Sequence, residues 1–336
     1  MKIAFVGKGG SGKTTLSSLF VRHLVDQGLP TLAIDADINQ HLATALGAST
    51  EQALMLPTLS AHLPLIKEYL RGDNPRITSP DAMIKTTPPG RGSRLLGVVE
   101  DNLVYAACVR EIDGARLAVT GPFTEDDLGV ACYHSKVGAA ELLLNHLVDG
   151  PGEYVVTDMT AGADSFASGL FTRFDVTALV CEPTLRSVAV YRQYLGYAKD
   201  FDIRVVVIGN KICDADDLDF LREHTGDDLL CWIGRSAHVR AGERGQIRPI
   251  DTLEGENLAA LATLRATVDS TVRDWAAYQR QAVEFHLRNV TAWAGQNSDV
   301  DLAGQVDPDF VPHPRMRRAV LRQDNSGSAR AVRGRS

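Results

Sequence analysis

The chain has 336 residues, a formal net charge of −7 and an apolar share of 44%. This length and composition are typical of a soluble globular protein that buries a sizeable core. The acidic balance argues against nucleic-acid binding by the body of the molecule, and no apolar run is long enough to cross a bilayer. The first residues lack the long apolar stretch of a secretory signal, so we expect a cytoplasmic protein. The cysteines include no CxxC pair, which in that compartment argues against a disulfide framework.

Strand-like and helix-like segments alternate from the start of the chain. Residues 2–6 form an apolar run that is typical of a buried strand. Residues 14–27 carry apolar side chains at helical spacing and precede Gly28, which suits the end of a helix. A second short strand is predicted at residues 31–34.

The next part of the sequence is less regular. Residues 56–94 are rich in proline, which predicts loops and short helices. Two apolar runs flank the dipeptide Asp113-Gly114, so we predict a β-hairpin over residues 103–119.

The alternation then resumes, with a helix predicted at residues 139–147 and strands at residues 154–157, 177–181 and 204–208. Strands that alternate with helices imply a parallel sheet that is covered on both faces. The predicted fold class is therefore α/β, with a doubly wound, mainly parallel sheet and a helical C-terminal extension.

The C-terminal part has a different character. Residues 256–294 predict one or two amphipathic helices. Beyond residue 295 the pattern is lost, and arginine accumulates among serine and glycine. We therefore divide the chain into a nucleotide domain at 1–255, a helical extension at 256–294 and an irregular or disordered basic tail at 295–336.

A glycine-rich loop follows the first strand and begins the first helix, which is the context that a Walker A motif requires. Glycines allow backbone N–H groups to point at phosphate oxygens, and the helix N-terminus adds partial positive charge. We expect Lys13 to contact the β- and γ-phosphates of ATP and the hydroxyl of Thr14 to bind Mg²⁺. The residues predicted to surround the phosphates are Gly9, Gly10, Ser11, Gly12, Lys13, Thr14 and Thr15.

Lys8 narrows the class of P-loop protein that this motif indicates. A lysine directly after the first glycine resembles the deviant Walker A motif of the group that contains ParA, MinD, the nitrogenase iron protein and CooC. The resemblance implies that Lys8 crosses a dimer interface to the partner's nucleotide, so that two subunits enclose two ATP molecules. A second cation there would stabilise the charge that develops on the transferred phosphoryl group. We therefore assign catalytic roles to Lys8 and Lys13 and expect a nucleotide-dependent homodimer.

An acidic motif ends the second strand. Asp35-Ala36-Asp37-Ile38-Asn39 resembles switch I of the same group, and Asp37 follows Lys13 by 24 residues (37 − 13). The resemblance makes Asp37 the third catalytic residue, which orients the attacking water. It places Asp35 near Mg²⁺ through a water molecule, because a bare carboxylate beside phosphates is unfavourable.

Two further strands end in polar groups. The strand at residues 154–157 carries Asp158 to the water shell of Mg²⁺, as in a Walker B motif. Gly162 follows and is expected to donate its N–H to the γ-phosphate. A later strand ends at Asn210 and Lys211. Asn210 resembles the group's adenine-binding asparagine, and we include both residues in the nucleotide site.

Within this group, the order of the motifs along the chain resembles that of the CooC family of ATPases, which serve nickel insertion into carbon monoxide dehydrogenase. The resemblance covers residues 1–250, and residues 158–162 resemble that family's D-M-E-A-G. CooC proteins carry C-x-C, and two copies meet in the dimer to bind metal. Here the pair is Cys132-x-His134, and two copies would supply a tetrahedral Cys₂His₂ set that suits Zn²⁺ or Ni²⁺. The alternative is that Cys132 packs in the interface while His134 caps a helix or faces water.

Two functions follow from these motifs. The first is a dimeric Mg²⁺-dependent ATPase whose ATP cycle assists or matures a client enzyme, including insertion of a metal cofactor. The second is a positioning ATPase like ParA or MinD, which binds DNA or membrane in its ATP state. The basic tail favours this second function, but the tail lacks the apolar periodicity of a membrane-binding helix. An amide ligase of the cobyrinic acid synthase type is disfavoured, because no cysteine after Cys231 could serve as a glutaminase nucleophile.

Overall fold

The computed structural model describes residues 1–122, 133–162, 166, 168–294 and 300–316. Within these ranges eight strands form one sheet. The strands are β1 (Lys2–Gly7), β2 (Thr31–Ala36), β3 (Val109–Ile112), β4 (Ala115–Val119), β5 (Tyr154–Met159), β6 (Val176–Cys181), β7 (Val205–Ile212) and β8 (Leu229–Gly234). The α-helices are α1 (Lys13–Asp26), α2 (Leu42–Leu46), α3 (Thr50–Leu54), α4 (Leu63–Arg71), α5 (Leu103–Cys108), α6 (Tyr133–His146), α7 (Leu185–Ala198), α8 (Ala215–Thr225), α9 (Ala237–Gly242), α10 (Gly255–Asp269) and α11 (Trp275–Asn289).

The strand order of the sheet is β3-β4-β2-β5-β1-β6-β7-β8. All neighbouring strands are parallel except β3 and β4, which are antiparallel. The carboxyl ends of β1, β2, β5, β6 and β7 therefore meet at one edge of the sheet. In doubly wound sheets this is the edge at which ligands bind.

Successive side chains of β1 enter two separate cores. Ile3 and Phe5 pack with apolar residues of α1, α2 and α10, whereas Ala4 and Val6 pack with those of α4, α6 and α7. Both faces of the sheet are thus covered by helices, which confirms the predicted doubly wound α/β class. A strand that is buried on both faces shows no alternation of polar and apolar residues, as residues 2–6 illustrate.

The predicted hairpin over residues 103–119 is only partly correct. Its first six residues form α5, which begins where the Asn102 side chain accepts a hydrogen bond from the backbone N–H of Tyr105. The hairpin itself consists of β3 and β4. Its turn is Asp113-Gly114, where both residues have positive φ, 48° and 78°. An apolar run of this length does not by itself distinguish helix from strand, and the Asn102 cap was the signal for a helix.

The C-terminal helices pack against the helices and loops that cover the sheet. Leu261 and Leu264 of α10 are buried in the same core as α1. On the other side of the molecule, Gln305 donates to the Ala82 carbonyl at 2.7 Å, and Asp307 accepts the backbone N–H of Arg91 at 3.1 Å. The proline-rich segment contains the short helix α4, as predicted, and is connected to residues near the C-terminus by these bonds. None of the described helices is long and apolar enough to span a membrane.

Candidate nucleotide-binding site

The loop between β1 and α1 turns tightly at two glycines. Gly12 has a φ of 97° and directly precedes the first residue of α1. A Cβ atom at this position would lie 2.2 Å from Nδ2 of Asn210. Gly7 has a φ of 144°, and a Cβ atom there would lie 2.6 Å from the carbonyl oxygen of Val180. Only glycine fits at these positions without strain or displacement of a neighbour.

Two side chains at the end of β7 contact this loop. Nδ2 of Asn210 donates to the Ser11 carbonyl at 2.7 Å, and Nζ of Lys211 donates to the Gly10 carbonyl at 2.8 Å. These bonds fix the orientation of two loop peptides. The amide of Asn210 therefore supports the loop in this structure, and its contact with adenine stays a prediction.

Two carboxylates lie near the loop on β5, the neighbour of β1, and on β2, the next strand of the sheet. Oγ1 of Thr14 donates to Oδ2 of Asp158 at 2.6 Å. The Asp35 carboxylate accepts the backbone N–H groups of Asp37 at 3.1 Å and Leu42 at 2.9 Å. Strands β2 and β5 pair Asp35 with Asp158 in register, and both side chains are completely buried.

This burial changes the proton affinity of both carboxyl groups. Burial raises the pKa of Asp35 to about 8, and the negative charge of Asp158 acts in the same direction. Burial also raises the pKa of Asp158 to about 7, although the hydrogen bond from Thr14 opposes the shift. Oδ1 of Asp158 has no hydrogen-bond partner within the described residues. A bound cation would neutralise the negative charge of these two carboxylates.

The residues present fit Mg²⁺. Two carboxylates and a threonine hydroxyl are the hard oxygen ligands that Mg²⁺ takes in nucleotide sites, together with phosphate oxygens and water. Thr14, Asp35 and Asp158 would hold the ion, directly or through water. When bound, Mg²⁺ would neutralise charge on the β- and γ-phosphates.

The two lysines of the loop have different surroundings. Lys13 is 7% exposed, and its Nζ lies 3.4 Å from the Lys8 carbonyl. Burial lowers the pKa of Lys13, whereas the charges of Asp158 and Asp37 oppose the shift. The side chain of Lys8 is 31% exposed, and its Nζ forms an ion pair of 3.2 Å with Glu182. Lys13 thus lies within the site, while Lys8 lies at its rim.

Asp37 and Gly162, which are also predicted to belong to the site, form hydrogen bonds with other residues of the chain. Oδ1 of Asp37 accepts the backbone N–H of Asn39 at 3.0 Å and its side-chain amide at 2.8 Å. The N–H of Gly162 donates to the carbonyl of Gly7 at 3.1 Å. Contact between Gly162 and a γ-phosphate would require that bond to be exchanged. The catalytic and γ-phosphate roles of these two residues remain predictions.

A cavity of about 820 Å³ opens beside Thr14 and Thr15. It follows α1 and is bounded on one side by the α2–α3 region and on the other by residues around α9. Arg22 and His238 contribute to its wall, and their nearest side-chain nitrogens are 3.5 Å apart. The cavity adjoins the Mg²⁺ side of the phosphate loop, and sequence patterns gave no sign of it.

The predicted transition-metal pair cannot be placed. Cys132 and the side chain of His134 lie outside the described residues. Among the described residues, no three or more His, Cys, Asp and Glu side chains form a group that could hold a metal ion by themselves. The proposed Mg²⁺ site differs in kind, because phosphate and water oxygens would complete it. Free thiols are found at Cys108, Cys181, Cys213 and Cys231.

Glu182 is the residue of this site that the sequence did not single out for a role. It follows the last residue of β6, next to the phosphate loop, and it pairs with both Lys8 and Lys211. A polar residue directly after a buried strand was the available signal. Its partners could not be identified without the strand order, because Lys8 lies in the loop after β1 and Lys211 lies in β7.

With its phosphate loop at the centre of the sheet and buried carboxylates on the two strands beside it, the molecule is a P-loop ATPase. The chain belongs to the CobQ/CobB/MinD/ParA nucleotide-binding domain family, whose model matches residues 3–291.

Individual relatives agree with this assignment. The chain is 30% identical over 253 residues to the carbon monoxide dehydrogenase accessory protein CooC of Rhodospirillum rubrum, covering 75% of this chain and 90% of that protein. It is 29% identical over 247 residues to the uncharacterized ATP-binding protein MJ0823 of Methanocaldococcus jannaschii, covering 72% and 88%. The septum site-determining protein MinD of Pyrococcus horikoshii, solved with Mg-ADP, superposes with a TM-score of 0.53 at 16% identity, covering 80% of this chain and 96% of that chain. At this identity, the structural likeness shows the fold alone.

Proposed function

We propose that this chain is a dimeric, Mg²⁺-dependent ATPase whose ATP cycle opens and closes an interface to service a client enzyme. The observation that carries the proposal is the contrast between the two loop lysines. Lys13 is buried among the site's carboxylates, whereas Lys8 lies at the partly exposed rim. A cation in that position can reach a nucleotide held by a second copy of the chain.

Each residue of the site has a role in this scheme. Lys13 would bind the β- and γ-phosphates, and Thr14, Asp35 and Asp158 would hold Mg²⁺. Asp37 would orient a water molecule toward the γ-phosphorus. The water oxygen forms the new bond to phosphorus while the bond to the bridging oxygen of ADP breaks. The partner's Lys8 would stabilise the charge that develops during this transfer.

Sedimentation velocity tests the dimer. The Asp37→Ala variant should bind ATP but hydrolyse it slowly, so that with Mg²⁺ and ATP it should sediment as a dimer and with ADP as a monomer. Lys8→Ala in the same background should remain monomeric with either nucleotide. A dimer that forms equally with ATP, with ADP and without Lys8 would contradict the proposal.

The similarity to CooC supports a metalloenzyme as the client. Under this proposal Cys132 and His134 from both subunits hold a metal ion as cargo, and the thiolate–imidazole set suits Ni²⁺ or Zn²⁺. Metal content per dimer should be measured with ATP and with ADP, using added Ni²⁺ or Zn²⁺. Cys132→Ser with His134→Ala should abolish the ATP-dependent part of the binding, while ATP turnover continues. Unchanged stoichiometry in that variant would exclude cargo binding at this pair.

A further inference from the structure

Glu182 connects two lysines at the rim of the phosphate loop. Its Oε2 lies 3.2 Å from Nζ of Lys8, and its Oε1 accepts a hydrogen bond of 2.6 Å from Nζ of Lys211. Each lysine also donates to the loop: Lys8 to the Gly9 carbonyl at 2.9 Å and Lys211 to the Gly10 carbonyl at 2.8 Å. The carboxylate thus shares its two oxygens between a residue of the loop and a residue of β7.

This arrangement holds Lys8 within its own protomer. The side chain of Glu182 is 15% exposed and that of Lys8 is 31% exposed, so water screens the pair only in part. Although burial raises the pKa of Glu182, hydrogen bonds from Lys211 and Lys8 lower it below the usual range. Glu182 is therefore ionised at neutral pH, and Lys8 must give up its ion pair with Glu182 before its ammonium group can bind elsewhere.

The contact with Lys211 lowers the cost of releasing Lys8. If Lys8 moves away, Glu182 keeps its bond to Lys211 and is not left as an unpaired, partly buried charge. A triphosphate carries several negative charges, so it attracts a lysine more strongly than one carboxylate that is already shared. ADP lacks the γ-phosphate and competes less well.

We propose that Glu182 is a positioning residue that retains Lys8 in its own protomer until the triphosphate of a second copy competes for it. The inference rests on the proposed dimer. Glu182 then sets how strongly the triphosphate of the second copy must attract Lys8 before the interface closes.

The isosteric substitution Glu182→Gln tests this in the full chain. It removes the charge but keeps the shape, so Lys8 is released. In the Asp37→Ala background with Mg²⁺ and ATP, the dimer dissociation constant should fall about two- to fivefold. The difference should shrink at high salt, because the ion pair is partly exposed. Glu223→Gln, at an exposed position of α8, is the matched control and should have no effect.

A double-mutant cycle separates this role from a general loss of charge. In the Lys8→Ala background, Glu182→Gln should no longer change self-association. The affinity of the monomer for ATP is measured in parallel with a fluorescent ATP analogue, at protein concentrations too low for dimers to form. An equal effect of Glu182→Gln with and without Lys8, or weaker dimerisation, would overturn the proposal.

A chemical readout distinguishes failure of this inference from failure of the dimer. The rate at which acetic anhydride modifies Lys8 in the nucleotide-free protein, followed by mass spectrometry, should rise about two- to fivefold in Glu182→Gln, because the amine is no longer held against the Glu182 carboxylate. An unchanged rate shows that Glu182 does not retain Lys8 and overturns the inference whatever the oligomeric state. A raised rate in a protein that never dimerises with ATP would instead contradict the proposed function and, with it, the competition for Lys8.

Discussion

The carboxyl groups of Asp35 and Asp158 lie side by side on neighbouring strands, because β2 and β5 pair these residues in register. Both are completely buried next to the phosphate loop, and burial raises the pKa of each. Such a pair destabilises the empty protein and creates a strong preference for a divalent cation. The same feature therefore opposes stability and supports nucleotide binding.

Asp158→Asn should stabilise the nucleotide-free protein and weaken its binding of Mg²⁺ and ATP. The pKa of Asp158 is raised from 3.8 to about 7 and that of Asp35 from 3.8 to about 8. Their stabilising contribution is therefore complete only below pH 3.8 and is lost as the pH rises through about 7 to 8. At pH 8 the nucleotide-free variant should melt at least about 3 °C above the parent, since it removes one buried charge.

The same variant should gain little from Mg²⁺ and ATP, whereas the parent should be strongly stabilised by them. Thermal denaturation at pH 6 and pH 8, with and without Mg-ATP, checks both statements. A nucleotide-free variant that is less stable than the parent at pH 8 would contradict this account of the pair.

Gly12→Ala should abolish ATP binding. The added Cβ would lie 2.2 Å from Nδ2 of Asn210, and the φ of 97° is unfavourable for alanine. Gly10 is the matched control. Its φ of 78° is also positive, but a Cβ there meets no atom within 4 Å. Gly10→Ala should therefore cost only about 1 to 2 kcal/mol of backbone strain. Equilibrium binding of ATP compares the two, and equal losses would argue against the contact with Asn210.

Arg273→Ala should destabilise the protein by about 3 to 5 kcal/mol, because it removes the guanidinium from two buried carboxylates and leaves Asp175 without its ion-pair partner. Its guanidinium lies between Asp149 and Asp175, with donor–acceptor distances of 2.6 Å and 2.7 Å. It follows α10 and thus ties the C-terminal helices to the sheet. Arg280→Ala breaks an exposed pair of 3.9 Å with Asp274 and should cost far less stability than Arg273→Ala. Urea denaturation measures both, and comparable losses would contradict this role of Arg273.

His146 should make the protein sensitive to acid. Burial lowers the pKa of this fully buried residue from 6.5 to about 4, although its hydrogen bond with the Leu142 carbonyl opposes the shift. The native state thus favours the neutral ring, and its contribution is complete above pH 6.5 and lost as the pH falls toward 4. The loss amounts to about 3 kcal/mol.

His146→Gln should flatten the decline in the free energy of unfolding between pH 7 and pH 5. His41→Gln, which removes a histidine at an exposed position, provides the control. An identical slope in all three proteins would show that another group controls acid stability.

The sequence sufficed to predict the α/β class and the phosphate loop, because both depend on local patterns. A glycine-rich loop between a strand and a helix defines its own geometry, and Asp35 and Asp158 lie near the ends of buried strands. The pairing of these two carboxylates depends on the strand order. The same holds for Glu182, whose partners are Lys8 in the loop after β1 and Lys211 in β7.

Other features depended on contacts between distant segments. Asn210 donates to the Ser11 carbonyl, and Gly162 donates to the Gly7 carbonyl. A sequence motif indicates that such a residue is near the nucleotide but not which hydrogen-bond partner it has within the chain. In α5, the apolar run suited a strand as well as a helix, and the cap at Asn102 determined the outcome.

The central claim is that Lys8 acts on the nucleotide of the other subunit, and mixing two inactive variants tests it most directly. Lys8→Ala lacks the cation and Asp37→Ala lacks the residue that orients water, so each alone should hydrolyse ATP at a small fraction of the parental rate. In a mixed dimer, the site of the Lys8→Ala subunit keeps its own Asp37 and receives Lys8 from its partner. An equimolar mixture should turn over ATP well above either variant alone and at most at roughly a quarter of the parental rate, because a mixed dimer has one intact site and keeps one of the two Lys8 contacts. A mixture that stays at the level of the separate variants would show that Lys8 does not act across the interface.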